Sequence, residues 1–206
     1  MQWATQVVVL LSIVAIGHTL RTIRRQASTD QLTGVLNRHL IVANLQREQQ
    51  RCNRGGPAFC VCFLDVDHLK AINDHLGHGI GDALLRRLAG EIGERLRGMD
   101  DFGRFGGDEF IIVLPGTQID GALRICARVQ QRIRTLKLSD LGIAHPVTIS
   151  IGVAESRPGE SIDALLGRAD EALYRAKRTG RDRVVSFCDI ESMNATRADG
   201  SLPMPA

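Results

Sequence analysis

Aromatic residues are scarce in this sequence, 4% of 206 positions, and nowhere do they interleave with a block of lysine or arginine. With a formal net charge of only +3, that pattern argues against a nucleic-acid partner. Cysteines are few. Cys52, Cys60, Cys62, Cys126 and Cys188 show no metal or redox spacing beyond a Cys-x-Cys inside an apolar run. They read as reduced thiols of a cytosolic domain. His75 and His78 stand at i, i+3 with no cysteine or third histidine at ligand spacing, which removes a zinc site. A chain of this length can bury one good core and little else.

Charge is missing altogether from Trp3 to Leu20. At about 1.5 Å per residue this run spans about 27 Å, just short of the ~30 Å hydrocarbon core, and reads as a single transmembrane helix. Arg21, Arg24 and Arg25 follow it and nothing basic precedes it. The positive-inside rule therefore puts the C-terminal side in the cytoplasm, anchored at the inner membrane. A cleaved signal peptide fits less well because the basic n-region is absent. A buried or dimerising helix is the structural alternative. The linker, residues 21–29, is too short for a sensor domain.

What the sequence does have is a chemical centre in two pieces. The first is Arg104-Phe105-Gly106-Gly107-Asp108-Glu109-Phe110, followed by the apolar run Ile111 to Leu114. Paired glycines before two acids, flanked by apolar residues, read as a β-hairpin with carboxylates at its tip, the glycines allowing positive φ and close approach of an anion. Adjacent carboxylates repel each other and become useful beside a divalent cation. The second piece is the continuous apolar run Phe59 to Leu64, a buried strand, which ends in Asp65-Val66-Asp67. Acids at the end of a buried strand, with another pair on a hairpin, form an oxygen-ligand set of the kind that holds Mg²⁺ against phosphates.

At these residues the chain resembles the GGDEF family of diguanylate cyclases, over about Ser28 to Phe187. Three further stretches carry the likeness: Asp30-Gln31-Leu32-Thr33-Gly34-Val35-Leu36-Asn37-Arg38, His68 to Asp82 after Asp65-Val66-Asp67, and Ala169 to Arg181. The resemblance implies an α+β, palm-like nucleotide-cyclase fold with a central, mostly antiparallel sheet flanked by helices. It also implies joining of two GTP into cyclic di-GMP with release of pyrophosphate, with Mg²⁺, or Mn²⁺ in its place, as cofactor. Asp65, the Val66 carbonyl and Asp108 would ligate metal, and Glu109 would act as ligand or general base beside Gly106 and Gly107. The product needs two nucleotides of opposite polarity facing each other, so a two-fold homodimer is expected.

Single residues carry physical arguments beside that likeness. Lys70 is a compact cation for a phosphate. Asp82 can accept from guanine N1–H and the exocyclic amine, where adenine offers no such donor pair, and Asn73 can read another polar edge. Their structural alternatives are a helix N-cap at Asp82 and a C-cap at Asn73. His68-Leu69 departs from the family pattern, which usually has an aromatic in the second position; the backbone amides that the resemblance brings to the phosphates there need no particular side chain, so altered packing is expected more than lost chemistry. Lys177 and Arg181, four apart on one helix face ended by Gly180, would hold a triphosphate as the resemblance implies; without it, an ordinary solvated basic helix end is the favoured reading. Arg97-Gly98-Met99-Asp100, five residues before Gly106, is similar to the family's inhibitory product site, with Arg128 as a secondary arginine; the alternative for Arg97 is a cation at a helix C-terminus.

Element limits follow from periodicity and punctuation. Ser28 or Thr29 is expected to cap a first helix through Leu45; Gly81 to Arg97 and Gln118 to Leu138 read as helices, Pro146 to Ala154 as a strand, and Ser161 as the cap of the last helix. Arg183 to Phe187 closes the sheet. Residues 188–206 read as a disordered tail. The competing functional reading is a catalytically silent domain that binds GTP or cyclic di-GMP.

Overall fold

The structure, a computed structural model, describes residues 28–198 and the isolated position Gln6. The charge-free run 3–20 and most of the linker lie outside the described residues. Among the described residues no helix is long and apolar enough to cross a membrane.

The first helix, α1 (Arg38–Asn53), starts later than its apolar face suggested, with Asn37 as its cap accepting from the Leu40 amide. Upstream, Asp30 Oδ1 accepts from both the amide and the hydroxyl of Thr33, and Gly34 sits at φ 74°. A side chain that satisfies the backbone locally competes with helix, and here it wins. The segment instead bridges Thr29 to Leu36 and Leu36 to Gly103.

Next come β1 (Cys60–Val66), α2 (Leu69–Leu76), α3 (His78–Gly93), β2 (Asp101–Arg104), β3 (Glu109–Leu114) and α4 (Ile119–Arg134). A short turn of 3-10 helix, β4 (Ile149–Glu155), α5 (Ile162–Arg178), β5 (Val184–Ser186) and α6 (Phe187–Ala198) complete the order. Helix α3 begins three residues before the expected Gly81 because the break falls at Gly77, φ 87°, and it ends at Gly93. The expected disordered tail begins as α6. Its Asp189 amide donates to Ser186 Oγ and its Ile190 is buried, so apolar anchoring and a hydroxyl cap outweigh the polar composition.

The sheet is mixed, in the order β2-β3-β1-β4-β5. Pairs β2–β3, β1–β3 and β1–β4 are antiparallel, and β4–β5 is parallel. Strand β1 lies in the middle. Cys60, Cys62, Leu64 and Val66 face one core with α3 and α4, while Val61 and Phe63 face the other with α1 and α5. Burial on both faces explains why β1 reads as an unbroken apolar run. Helix α5 lies directly on β4. A Cβ at Gly152 would come within 2.1 Å of Ala169 O and 2.2 Å of Leu173 N, so only glycine permits the contact.

Candidate active site

The C-terminal end of β1 and the β2–β3 hairpin meet by register. Asp65 lies opposite Glu109, and the Val66 amide donates to Asp108 O at 3.3 Å. Strand pairing thus brings Asp65, Asp108 and Glu109 together. Burial is the main force on Asp65 and pushes its carboxyl up to about 6. The Lys177 ammonium, 2.7 Å from Asp65 Oδ2, opposes that shift, while the negative charges of Asp108 and Glu109 add to it. A buried acid with two further acids beside it and only one ammonium against it has room for a second positive charge.

The hairpin tip does not use its glycines as expected. Neither Gly106 nor Gly107 is at positive φ. Instead the absence of a side chain at Gly106 leaves room for Glu109, because a Cβ there would sit 2.8 Å from Glu109 Oε2. The tip is held by Arg104, which sequence reasoning passed over. Its guanidinium donates to Gly107 O at 2.6 Å and Gly106 O at 3.2 Å, and to Asp30 Oδ1 at 3.1 Å. Burial would raise the Asp30 carboxyl, but hydrogen bonds from Thr33 and the Arg104 guanidinium outweigh it and hold it below the usual range. Asp30-x-x-Thr33, a turn-forming spacing, was the available signal.

Asp67, read with Asp65 as part of one acidic cluster, is not available to a cation in the same way. It is buried, with Thr148 Oγ1 and Ser150 Oγ each donating to it at 2.7 Å and the Asp182 amide at 3.1 Å.

A two-residue connection, Asp67 and His68, leads from β1 into α2. His68 adopts φ 59°, and the α2 N-terminus follows at once, its first amides beside the acidic strand end. The Leu69 side chain is buried in the core, so only its backbone is placed to meet a substrate. Lys70 is exposed on the first turn of α2. Asn73 lies inside α2 rather than at its C-cap, which is Gly77, and Asp82 lies inside α3 rather than at its N-cap. The two are brought close by a tight crossing: a Cβ at Gly81 would fall 1.8 Å from Asn73 Oδ1. That oxygen is buried with no hydrogen-bond partner, while Asp82 is exposed beside it.

Lys177 is on α5 as expected, but Arg181 is not. The helix stops at Arg178, Gly180 takes φ 116°, and the Arg181 amide donates to Ala176 O, closing a Schellman turn. Arg181 follows that turn at φ 54°.

At the opposite end of the strands, before β1 and after β3, lies a cleft of about 800 Å³, lined by Arg97, Arg124 and Arg128 among others. Arg97 donates from its backbone to Asp100 Oδ2 at 2.8 Å, pairs with Asp100 through its guanidinium at 3.2 Å, and donates to Thr117 Oγ1 at 2.8 Å. The structure therefore brings Arg97, Asp100 and Arg128 to one place, apart from the hairpin. Thr117 belongs with them.

A sequence model described as "Diguanylate cyclase, GGDEF domain" matches residues 27–183. The chain belongs to this family. Diguanylate cyclase DgcP of Pseudomonas aeruginosa is 40% identical over 161 residues, 78% of this chain and 24% of DgcP. Response regulator PleD of Caulobacter vibrioides is 41% identical over 165 residues, 77% of this chain and 36% of PleD. The chain thus spans about a quarter to a third of the length of these curated relatives. Among solved structures, the coiled coil and GGDEF domain of DgcB from Caulobacter crescentus, in complex with c-di-GMP, superimposes with a TM-score of 0.83 at 32% identity. That match covers 89% of this chain and 97% of the solved DgcB chain. Diguanylate cyclase SiaD from Pseudomonas aeruginosa, solved with its activator SiaC, gives 0.73 at 34% identity over 90% of this chain and 74% of SiaD.

Proposed function

We propose that the domain is a diguanylate cyclase, which condenses two GTP into cyclic di-GMP and two pyrophosphates. The observation that carries this reading is the pairing of Asp65 with Glu109 across β1 and β3, which gathers three acids at the foot of a phosphate-facing helix start. Asp65, Asp108 and the Val66 carbonyl are the donors for a divalent cation, Mg²⁺ or Mn²⁺. Among the described residues no three acids, histidines or cysteines already stand close enough to enclose an ion. The fit rests on chemistry: hard oxygen donors, mutual repulsion that raises Asp65, and a Lys177 ammonium resting on it. When bound, the cation offsets phosphate charge and activates the attacking hydroxyl.

The chain's own residues supply the rest. The first amides of α2, at His68 and Leu69, together with Lys70, Lys177 and Arg181, hold phosphate oxygens. Asn73 and Asp82 read guanine, and the unpartnered Asn73 Oδ1 is an acceptor awaiting a donor. Glu109, given room by Gly106, assists at the 3′-hydroxyl as general base or as a further ligand. Gly107 leaves the tip open to a phosphate.

One domain offers one GTP site, so we infer a homodimer with two sites facing each other. The cleft at Arg97, Asp100 and Arg128 is read as an inhibitory site for cyclic di-GMP, since planar guanidinium forks suit guanine O6/N7 and phosphate. The charge-free run 3–20 with its following arginines supports anchoring in the cytoplasmic membrane with the domain in the cytoplasm. A silent module that binds GTP or cyclic di-GMP is the second reading; the separation of the arginine cleft from the hairpin is the observation in its favour.

The test is incubation of residues 21–206, alone and fused to a dimerising coiled coil, with GTP and Mg²⁺, following cyclic di-GMP by chromatography beside Glu109→Ala. Product from wild type but not from the variant establishes the enzyme. Binding of GTP or cyclic di-GMP without product in either form selects the silent module.

A further inference from the structure

The turn that carries Arg181 is unusual. Gly180, Arg181 and Asp182 follow one another at φ 116°, 54° and 46°. Glycine takes such angles without strain and aspartate tolerates them, but arginine has no short polar side chain to compensate. Such a conformation persists only where its surroundings over-determine it. Here they do so from two sides. The Asp182 amide donates to Asp67 Oδ2 at 3.1 Å, and the Asp182 carboxylate accepts from Gln130 Nε2 at 3.1 Å and pairs with Arg134, both on α4. Arg183 Nε closes the turn on Arg181 O at 3.0 Å. The Arg181 backbone is thereby fixed while its side chain stays exposed.

Asp67 is the anchor of this arrangement. Thr148 Oγ1, just before β4, and Ser150 Oγ, on it, hold its two oxygens, so its carboxylate has one orientation, and the Asp182 amide completes it. We propose that Asp67 is a positioning residue: with Asp182 it locks the 180–182 turn so that the Arg181 guanidinium is presented, before substrate arrives, to the phosphates of GTP. This rests on the reading of the domain as a GTP-using cyclase. It gives the second acid of Asp65-Val66-Asp67 a role separate from cation binding and ties the phosphate turn to the strand that bears Asp65.

The geometry supplies a conservative variant. In Asp67→Asn the amide oxygen can stand at the Oδ2 position, accepting from Thr148 and Asp182, while the amide nitrogen donates to the Ser150 hydroxyl. Shape and clamp survive, and only the charge is lost. Asp67→Ala removes both.

The experiment is calorimetric titration of the full chain with 3′-deoxy-GTP and Mg²⁺, since that nucleotide lacks the attacking hydroxyl, together with cyclic di-GMP formation from GTP. Asp67→Ala is expected to weaken 3′-deoxy-GTP binding by at least about tenfold, the scale of losing one well-placed charge-assisted contact. Asp67→Asn is expected to stay within about threefold of wild type, and Asp67→Ala placed on Arg181→Ala to add less than about twofold, because both remove the same contact. Asn as damaging as Ala would assign Asp67 to a charge role such as cation binding and overturn the proposal. Equal affinity in Ala and wild type, or effects of Asp67→Ala and Arg181→Ala that multiply, would overturn it as well. If Asp67→Ala does not fold, Thr148→Ala combined with Ser150→Ala, which keeps the charge of Asp67 but removes the two hydroxyls that orient it, is expected to weaken binding in the same way, and unchanged affinity there overturns the proposal. Wild type that binds 3′-deoxy-GTP but forms no product defeats the cyclase reading alone, leaving the variants to decide the clamp. Wild type that binds no nucleotide defeats both.

Discussion

Asp65 gives the site a pH dependence whose sign follows from its burial. Its carboxyl is raised from 3.8 to about 6, so the folded chain keeps a proton that the unfolded chain releases. Stability from this group therefore falls as pH rises from near 4 to about 6 and is level above that. Cation binding needs the ionised form and follows the opposite course. Mg²⁺-dependent GTP binding is expected to rise through the same window, and Asp65→Asn to flatten that rise in a titration at a series of pH values. At Gly106 the constraint is steric and local. Gly106→Ala would push a methyl against the Glu109 carboxylate, the flexible end of a side chain, so turnover should fall by about a hundredfold, typical of a misplaced acid or base, with the melting temperature nearly unchanged. A drop in melting temperature of many degrees with turnover intact would contradict this. That Asp65, Asp108 and Glu109 would gather was legible in the sequence because carboxylates on a turn and at a buried strand end have few structural uses; Asn73 and Asp82 were singled out by the family motif, since their own spacing fits a helix cap equally well. The state of Asp67 was not. Its partners Thr148, Ser150 and Asp182 lie far along the chain, and no local spacing announces them.

At the scale of elements, periodicity located the helices and strands, and punctuation misplaced their ends. Gly77 and Gly93 bound α3, whereas the sequence alone suggested Gly81 and Arg97: the start is set by the break at Gly77, and Leu96 continues the apolar stripe onto the same core after the helix has ended. The Schellman turn at Gly180 moved Arg181 off the helix face on which simple spacing had put it beside Lys177. The close contact of α5 with β4 yields a strong expectation. In Gly152→Ala the methyl meets Ala169 O and the Leu173 backbone, atoms that cannot swing aside, so the cost should reach about 3 kcal/mol or more. Chemical denaturation should show it directly; a loss under about 1 kcal/mol would mean α5 slides easily over the sheet. The hairpin predicts the reverse pattern. Asp30→Ala frees the Arg104 guanidinium on one side and should lower turnover by about tenfold, through a loosened tip, with a stability loss of about 1–2 kcal/mol because the half-buried ion pair and the two Thr33 hydrogen bonds go together. Enzyme assay and melting curves on the same sample separate the two.

For the whole molecule, the decisive expectation is kinetic order. If two half-sites must meet, product formation per chain rises with protein concentration until the dimer saturates, whereas a monomer that completes the reaction alone gives a constant specific rate. The cleft around Arg97 should then govern the late part of the progress curve. Arg97→Ala is expected to raise the cyclic di-GMP concentration needed for half inhibition by at least about tenfold, since it removes a bidentate cation, and equilibrium dialysis of the product would confirm the loss. One connection described above sets how such a domain can be driven. Leu36 gives its amide to Phe102 O and takes the Arg104 amide, so the chain's way into the domain is knitted along the outer edge of β2. Asp30, a few residues earlier, grips the side chain that steadies Gly106 and Gly107. A pull or twist delivered at Ser28 is therefore expected to reach the hairpin tip through two links, like a cord tied to a latch, running along the sheet edge where Leu36 rests on the core.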